Sequence, residues 1–173
     1  MEMHGYVPGE QSRARGLVKL NTNENPYPAS PLVARALRSV DPAELRLYPD
    51  PTALKLRQRI AAIHRCSVEN IFVGNGSDEI LALCTRAFVE DGGSIGFFNP
   101  SYSLYPVLTT IRDVVAKPVE LSHDFSWHMP HGYSTSLFFM ANPNAPTGTL
   151  HDKKVVGRFC RRLRGVVVID EAQ

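Results

Sequence analysis

The 173-residue sequence lacks long apolar runs, a strong charge of either sign and paired cysteines. Its net charge of +2 is too small to indicate a nucleic-acid or membrane-surface partner. No segment is apolar enough to cross a bilayer or to act as a signal peptide. Cys66, Cys84 and Cys160 are scattered, which favours reduced thiols. These absences predict a cytoplasmic protein with neither a membrane nor a nucleic-acid partner.

Two nucleotide-binding fingerprints and a metal pattern are also absent. The sequence contains neither G-x-G-x-x-G nor G-x-x-x-x-G-K-[ST], so a plain nucleotide-binding domain is disfavoured. His123, His128 and His131 lie in a polar, turn-like segment and match no zinc spacing, so no metal site is predicted there. The basic cluster at 158–164 is typical of a solvated helix face.

Helical and strand patterns alternate along the chain after an Asn- and Pro-rich arm. Helices are expected at 31–40, 52–64, 77–88, 102–111 and 151–163, with Ser77 as the cap of the third, and strands at 71–73, 95–98, 114–121, 137–141 and 166–169. Such alternation predicts an α/β fold with a doubly wound, mostly parallel sheet.

The turn after the first predicted strand is suited to a phosphate. Gly74 and Gly76 allow the backbone to turn sharply. The amides of Gly76, Ser77 and Asp78 would then open a helix, where unpaired N–H groups and the macrodipole attract anions. An ordinary strand-to-helix turn without a ligand explains the same residues.

Three more predicted strand ends carry groups that suit the same ligand. Tyr102 can stack on a flat ring, the asparagines of 142–148 can donate to a ring oxygen, and Asp170 can pair with a cationic ring nitrogen. Local packing, a turn or a cap explains each alone. Because ligands of open α/β sheets bind at the carboxyl ends of the strands, the combination predicts one site for a phosphorylated aromatic cation.

Six segments, in this order and spacing, resemble the fold-type-I pyridoxal-phosphate aminotransferases of class I/II, and within them the histidinol-phosphate aminotransferases. They are Leu20–Pro28 (LNTNENPYP), Tyr48–Asp50 (YPD), Gly74–Glu79 (GNGSDE), Asn99–Tyr105 (NPSYSLY), Asn142–Gly148 (NPNAPTG) and Val168–Ala172 (VIDEA). The resemblance implies the cofactor pyridoxal 5′-phosphate, a homodimer, and transamination between histidinol phosphate and 2-oxoglutarate in histidine biosynthesis.

The resemblance also implies roles for individual residues. Gly76, Ser77 and Asp78 would hold the cofactor phosphate, Tyr102 would stack on the ring, and Asp170 would keep the ring nitrogen protonated. Tyr48 would reach the cofactor phosphate of the partner subunit. The substrate would lie near Asn23, Glu24 and Asn25.

Departures from the family pattern affect three places. Ala145 stands where the family has an asparagine that contacts the ring oxygen, which leaves Asn144 as the substitute candidate. Gln173 stands where a tyrosine is usual. The Schiff-base lysine comes later in such enzymes, and none of Lys19, Lys55, Lys117, Lys153 and Lys154 has its sequence context.

These departures lead us to expect an incomplete enzyme. Residues 1–45 would be an amino-terminal arm and first helix, and residues 46–173 part of the cofactor-binding large domain, without its carboxyl-terminal part or the small domain. The chain alone is then expected to be inactive. Two alternatives stay open: an enzyme similar to threonine-phosphate decarboxylase, and a non-catalytic fragment that serves as a binding or interaction piece.

Overall fold

The computed structural model describes Gly16, Val18 and residues 24–172. These residues fall into two compact units that meet in the sequence between Val73 and Gly74. The predicted division after residue 45 stays a prediction, because compact units within this chain do not define the domains of a whole protein. Among the described residues, no helix combines the length and apolar character that a membrane crossing requires.

Residues 24–73 form short helices that are held at their ends by local hydrogen bonds. Helix α1 is Pro31–Arg38 and helix α2 is Leu54–His64, with 3-10 turns at Pro42–Arg46 and Val68–Asn70. Pro31 occupies the first turn of α1, and the Ser30 hydroxyl accepts the Leu32 amide at 3.3 Å. The predicted helices at 31–40 and 52–64 are therefore confirmed with slightly shorter bounds.

Two expectations about this unit are wrong. Residues 71–73 form no strand. The Arg57 guanidinium donates to the Ile71 carbonyl at 2.7 Å and to the Val68 carbonyl at 2.9 Å, so a side chain takes a backbone acceptor that a strand would offer to a neighbour. The expected inner residues Leu54, Leu56 and Ile63 of α2 are exposed, since this helix buries only Ala61.

Residues 74–172 contain a four-stranded parallel sheet in the order β2-β1-β3-β4. The strands are β1 (Ser94–Asn99), β2 (Val115–Glu120), β3 (Leu137–Ala141) and β4 (Val166–Asp170). They confirm the last four predicted strands. Pro118 is accommodated within β2 because β2 is an edge strand.

Side chains alternate between two cores on opposite faces of this sheet. The helices are α3 (Gly76–Phe88), α4 (Leu104–Arg112) and α5 (Lys153–Arg162). Phe97 and Phe139 pack on the face that α3 and α4 cover, whereas Phe98 and Phe138 pack on the other face with Phe159 of α5. Helices on both faces of a parallel sheet confirm the doubly wound α/β fold.

Helix α3 starts earlier than expected and buries a shorter stripe, which includes the expected Leu81. Its N-cap residue is Asn75 and its first residue Gly76, so Ser77 lies inside the first turn and is not the cap. Leu81 and Thr85 are the buried residues, whereas the expected inner residues Ala87 and Phe88 are exposed. The stripe therefore ends one turn before the helix does.

Candidate functional site

The strand order creates a crevice at the carboxyl ends of β1 and β3. From β1 the chain crosses to β2 on one side, and β3 then pairs with β1 on its other side. The loops that follow β1 and β3 consequently diverge from a topological switch point, where open α/β sheets bind ligands. The segments 99–103 and 142–149 occupy this position.

Asn144 fastens these two loops together. Its side chain is 1% exposed, and its Oδ1 accepts the Ser101 hydroxyl at 2.6 Å. Its Nδ2 donates to the Pro100 carbonyl and to Thr147 Oγ1, both at 3.0 Å. Both amide hydrogens are thus used within the protein. The predicted contact of Asn144 with a cofactor ring stays a prediction, and in this structure the residue ties the loops together.

The start of α3 offers backbone amides to an anion. The Asn75 side chain makes no capping hydrogen bond, so the first-turn amides of Ser77 and Asp78 have no partner from that cap. Gly76 has a φ of +81°, and a Cβ added there would meet nothing within 4 Å. The Gly76 amide already donates to the Gly74 carbonyl at 3.2 Å, so the donors that the turn leaves beside this open space are those of Ser77 and Asp78. The predicted phosphate contact stays a prediction.

A nearby carboxylate limits this anion site. Glu79 Oε2 accepts the Asn75 amide at 2.6 Å, which uses one of the donors at the helix start. The same oxygen would lie 2.7 Å from a Cβ added at Gly74, so a side chain there would displace the end of Glu79 from the turn. Glu79 thus fixes the turn but adds negative charge beside it.

Two tyrosines connect the start of α3 with the end of β4. The Tyr102 hydroxyl donates to Asp78 Oδ1 at 3.0 Å, and the Tyr105 hydroxyl donates to Asp170 Oδ2 at 2.9 Å. The two rings meet edge to face with centroids 5.6 Å apart. A short chain of contacts therefore joins the predicted phosphate turn to the predicted ring-nitrogen acid.

Asp170 points to the same face of the sheet as the tyrosines. Its neighbour Val168, two residues earlier, packs on the core that contains Tyr105, and side chains alternate along a strand. Its Oδ1 accepts the Ala172 amide at 3.1 Å, and its backbone carbonyl accepts the Asn142 amide at 2.9 Å. The carboxylate oxygens keep further acceptor capacity for a cationic N–H.

Tyr105 is the buried ionisable group of the site. The residue is 0% exposed and stacks on Phe139 with centroids 4.9 Å apart. Burial, and then the negative charge of Asp170, raise the pKa of the Tyr105 hydroxyl well above its usual range. Tyr105 thus stays protonated and acts as a donor to the acid.

The structure brings together only part of the predicted set. Gly76, Ser77, Asp78, Tyr102 and Asp170 gather around the crevice, with Asn144 behind it. Tyr48, Glu24 and Asn25 belong to the other unit and Asn23 lies outside the described residues, so their roles stay predictions.

Sequence reasoning gave no role to Tyr105 or Ser101. The one signal available in the sequence was their position within the segment Asn99–Tyr105. Ser101 directly precedes Tyr102, and Tyr105 follows it by three residues. The partners that define their roles are distant in sequence, 65 residues for Tyr105 and 43 for Ser101.

Two other kinds of site, a metal site and a hydrolase nucleophile, find little support in the described residues. No group of three or more His, Cys, Asp or Glu side chains is arranged to hold a metal ion in this part of the chain. Residues 92–96 have the spacing G-x-S-x-G of a hydrolase nucleophile turn. Ser94, however, is buried and begins β1, whereas such a nucleophile follows a strand.

Sequence comparison with known proteins finds one family over most of the chain. The family model for aminotransferase class I and II matches residues 15–172. Histidinol-phosphate aminotransferase of Chromohalobacter salexigens is 45% identical over 175 residues, which cover 99% of this chain and 49% of that protein. The same enzyme of Syntrophus aciditrophicus is 46% identical over 176 residues, 96% of this chain and 48% of that protein. The chain spans about half the length of these curated relatives.

Solved structures show the same fold. Histidinol-phosphate aminotransferase from Sinorhizobium meliloti, in complex with pyridoxal-5′-phosphate, superposes with a TM-score of 0.71 at 23% identity, over 83% of this chain and 41% of that chain. Aspartate aminotransferase from Thermotoga maritima gives a TM-score of 0.68 at 20% identity, over 89% of this chain and 46% of that chain.

Proposed function

Since the chain belongs to the class I and II aminotransferases, we propose that the protein carries out pyridoxal-phosphate-dependent transamination of histidinol phosphate with 2-oxoglutarate, in histidine biosynthesis. The curated relatives support the substrate. The observation that carries the proposal is the chain of contacts from Asp78 through Tyr102 and Tyr105 to Asp170. This chain of contacts supports the proposal because it connects the anion donors at the start of α3 to the acid at the end of β4 through two aromatic rings.

The cofactor is pyridoxal 5′-phosphate, and the residues present fit it. Its phosphate suits the uncapped first-turn amides of α3, where the open space at Gly76 leaves room. Its pyridine nitrogen suits the half-buried Asp170. When bound, the cofactor supplies an electron sink for the bond that breaks at the substrate Cα.

Each of these residues would do a separate part of the work. The amides of Ser77 and Asp78 would anchor the phosphate, and the half-buried Tyr102 would cover one face of the ring. Asp170 would hold the proton on the ring nitrogen, because a carboxylate there stabilises the positive charge. Together these residues would bind, orient and polarise the ring.

We further propose that the lysine bonded to the cofactor is none of Lys117, Lys153 and Lys154, and that it is not Lys55, which lacks the sequence context of such a lysine. Lys117 donates to the Ser134 carbonyl at 3.0 Å, before the start of β3 and thus at the sheet edge opposite to the crevice. Lys153 and Lys154 are exposed on α5, which packs on the face opposite to Tyr105. The 173 residues alone are then expected to bind the cofactor without normal turnover.

The proposal extends to partners and location. A homodimer would let the fully exposed Tyr48 reach the cofactor of the partner subunit, and the substrate would lie near Asn23, Glu24 and Asn25. Free Cys66, Cys84 and Cys160 suit a reducing compartment such as the cytoplasm.

Cofactor titration tests the site. We expect the purified chain to bind pyridoxal 5′-phosphate, and Asp170→Asn to weaken binding roughly tenfold or more, because it removes a charge-assisted hydrogen bond. Asp124→Asn is the matched control, since Asp124 lies in the exposed loop after β2, where it accepts from Ser126. Equal affinity of wild type and Asp170→Asn, or no binding by a folded wild type, would contradict the proposed site.

A product assay tests the reaction. The complete protein that carries this sequence should form glutamate from 2-oxoglutarate when histidinol phosphate is the amino donor. Release of carbon dioxide from threonine phosphate, without glutamate, would instead support the decarboxylase alternative. If neither product forms while the cofactor is bound, the proposed reaction is wrong and the cofactor site stands.

A further inference from the structure

We propose that Tyr105 is a positioning residue whose hydroxyl holds the Asp170 carboxylate in the orientation that the cofactor ring nitrogen requires. The inference deepens the proposed function and rests on it. The hydrogen bond from Tyr105 to Asp170 Oδ2, at 2.9 Å, joins two residues of this chain and forms without a cofactor.

The Tyr105 ring is immobilised on three sides. It stacks on Phe139 at an interplanar angle of 15°, meets Tyr102 edge to face at 88°, and lies 6.2 Å from the Phe97 ring between centroids. The side chain is 0% exposed. A close-packed aromatic ring of this kind has little rotational freedom, so its hydroxyl is a fixed point rather than a mobile donor.

The strand register explains why this fixed point meets the acid. Phe139 pairs with Val168, and Ala141 pairs with Asp170 in the adjacent strand β4. Because Tyr105 stacks on Phe139, its ring lies over β3 and its hydroxyl extends to the last residue of β4. The acid is therefore held by a residue of α4, 65 positions away in sequence.

Two hydrogen bonds define the carboxylate. Tyr105 donates to Oδ2, and the Ala172 amide donates to Oδ1 at 3.1 Å. Without the tyrosine hydroxyl, only the backbone amide in the exposed segment after β4 would remain. Because a short acid side chain held at one oxygen can rotate, the second bond is what fixes its plane.

Electrostatics adds to this geometry. Burial and the Asp170 charge keep the pKa of Tyr105 high, so the hydroxyl remains a neutral donor. A neutral donor holds the carboxylate in place without competing for its negative charge as a second cation would. The acid can then still pair with a protonated ring nitrogen.

A purely structural role makes a different prediction. If the hydroxyl merely satisfied its own hydrogen bond, its removal would cost stability and nothing else. Tyr133 provides the matched case: it is half-buried, packs on the core of the opposite face, and donates to the Lys117 carbonyl at 2.5 Å.

The test compares Tyr105→Phe with Tyr133→Phe, which each remove one hydroxyl and keep the ring. We expect similar losses of stability in urea. Only in Tyr105→Phe do we expect the dissociation constant for pyridoxal 5′-phosphate to rise two- to tenfold. The pH dependence of the bound-cofactor absorbance should change in the same variant. In an Asp170→Asn background, Tyr105→Phe should add less than about a twofold effect on affinity, because it acts through Asp170.

The outcomes separate this inference from the proposed function. Cofactor affinity and spectra that are unchanged in Tyr105→Phe, or equally changed in Tyr133→Phe, would overturn the positioning role and leave the cofactor site intact. Fully additive effects of Tyr105→Phe and Asp170→Asn would overturn it as well. If the folded wild type binds no cofactor, the site and the positioning role both fail.

Discussion

Residues 24–73 and residues 74–172 are stabilised in different ways. The first set has one buried hydrophobic residue, Ala61, and its helices are capped by exposed side chains such as Ser30 and Asp50. The second set buries all the other core residues of the described chain, on both faces of a parallel sheet. Local hydrogen bonds thus define the elements of the first unit, whereas non-local packing defines the second.

This difference decides where a site can be rigid. The contacts that shape the crevice, Ser101 with Asn144 and Tyr105 with Asp170, lie among residues 74–172 and rest on the packed core. Tyr48 and Asn25 are exposed in the other unit. Preorganised binding geometry requires side chains locked by their surroundings, so the described part of the site belongs to the sheet unit.

A leucine-to-alanine substitution in each unit should show the largest contrast in unfolding free energy. Leu137→Ala removes a side chain that is 0% exposed in β3 and should cost about 2–5 kcal/mol of unfolding free energy. Leu37→Ala removes one that is 70% exposed in α1 and should cost less than about 0.5 kcal/mol. Urea denaturation measures both. Comparable losses would show that Leu37 is covered in solution and would break the comparison.

An asparagine pair sharpens the contrast for polar groups. Asn144→Ala deprives the Pro100 carbonyl, the Ser101 hydroxyl and Thr147 Oγ1 of their bonds to this buried side chain, and should cost about 2–3 kcal/mol. Asn25→Ala removes one exposed turn bond, to the Tyr27 amide at 2.9 Å, and should cost a few tenths of a kcal/mol. Thermal unfolding at equal protein concentration measures the difference.

A second readout separates stability from site geometry in the asparagine pair. Because Asn144 ties the two crevice loops together, Asn144→Ala should also weaken cofactor binding at temperatures where it is folded. Unchanged affinity would mean that the loops keep their places without it. Asn25→Ala tests the predicted substrate role of that arm, which requires a change in the Michaelis constant and not in cofactor affinity.

The elements of the sheet unit could be predicted from the sequence because burial on both faces leaves a local pattern. The apolar runs at 137–141 and 166–169 became β3 and β4 with bounds that agree to within one residue. The equally apolar run at 71–73 became no strand, since Arg57, 14 residues earlier, takes the Ile71 carbonyl. Such a contact leaves no trace in local periodicity.

The candidate site was predictable to the extent that it follows from topology. Strand ends identify Asp170 and the loops at 99–102 and 142–148, because parallel strands end at one edge. Tyr105 and the tying role of Asn144 depend on packing between segments more than 40 residues apart. Sequence spacing carries no information about such contacts.

The smallest expected effect is a pH dependence in the unit that local caps hold together. Asp50 accepts the Thr52 amide at 2.9 Å and the Leu54 amide at 2.7 Å at the start of α2. These bonds, that of Thr52 first, lower the pKa of Asp50 below its ordinary value of 3.8. The stabilisation of the start of α2 by the ionised Asp50 carboxylate is therefore complete above pH 3.8 and is lost as the pH falls through the lowered pKa.

Amide chemical shifts of Thr52 and Leu54, followed from about pH 6 to about pH 2, should titrate with a midpoint below 3.8. Asp50→Asn should abolish this titration and leave the urea midpoint of the sheet unit unchanged. A midpoint at or above 3.8, or a matching loss of the sheet, would show that Asp50 is not a local cap and that the two units do not differ in this way.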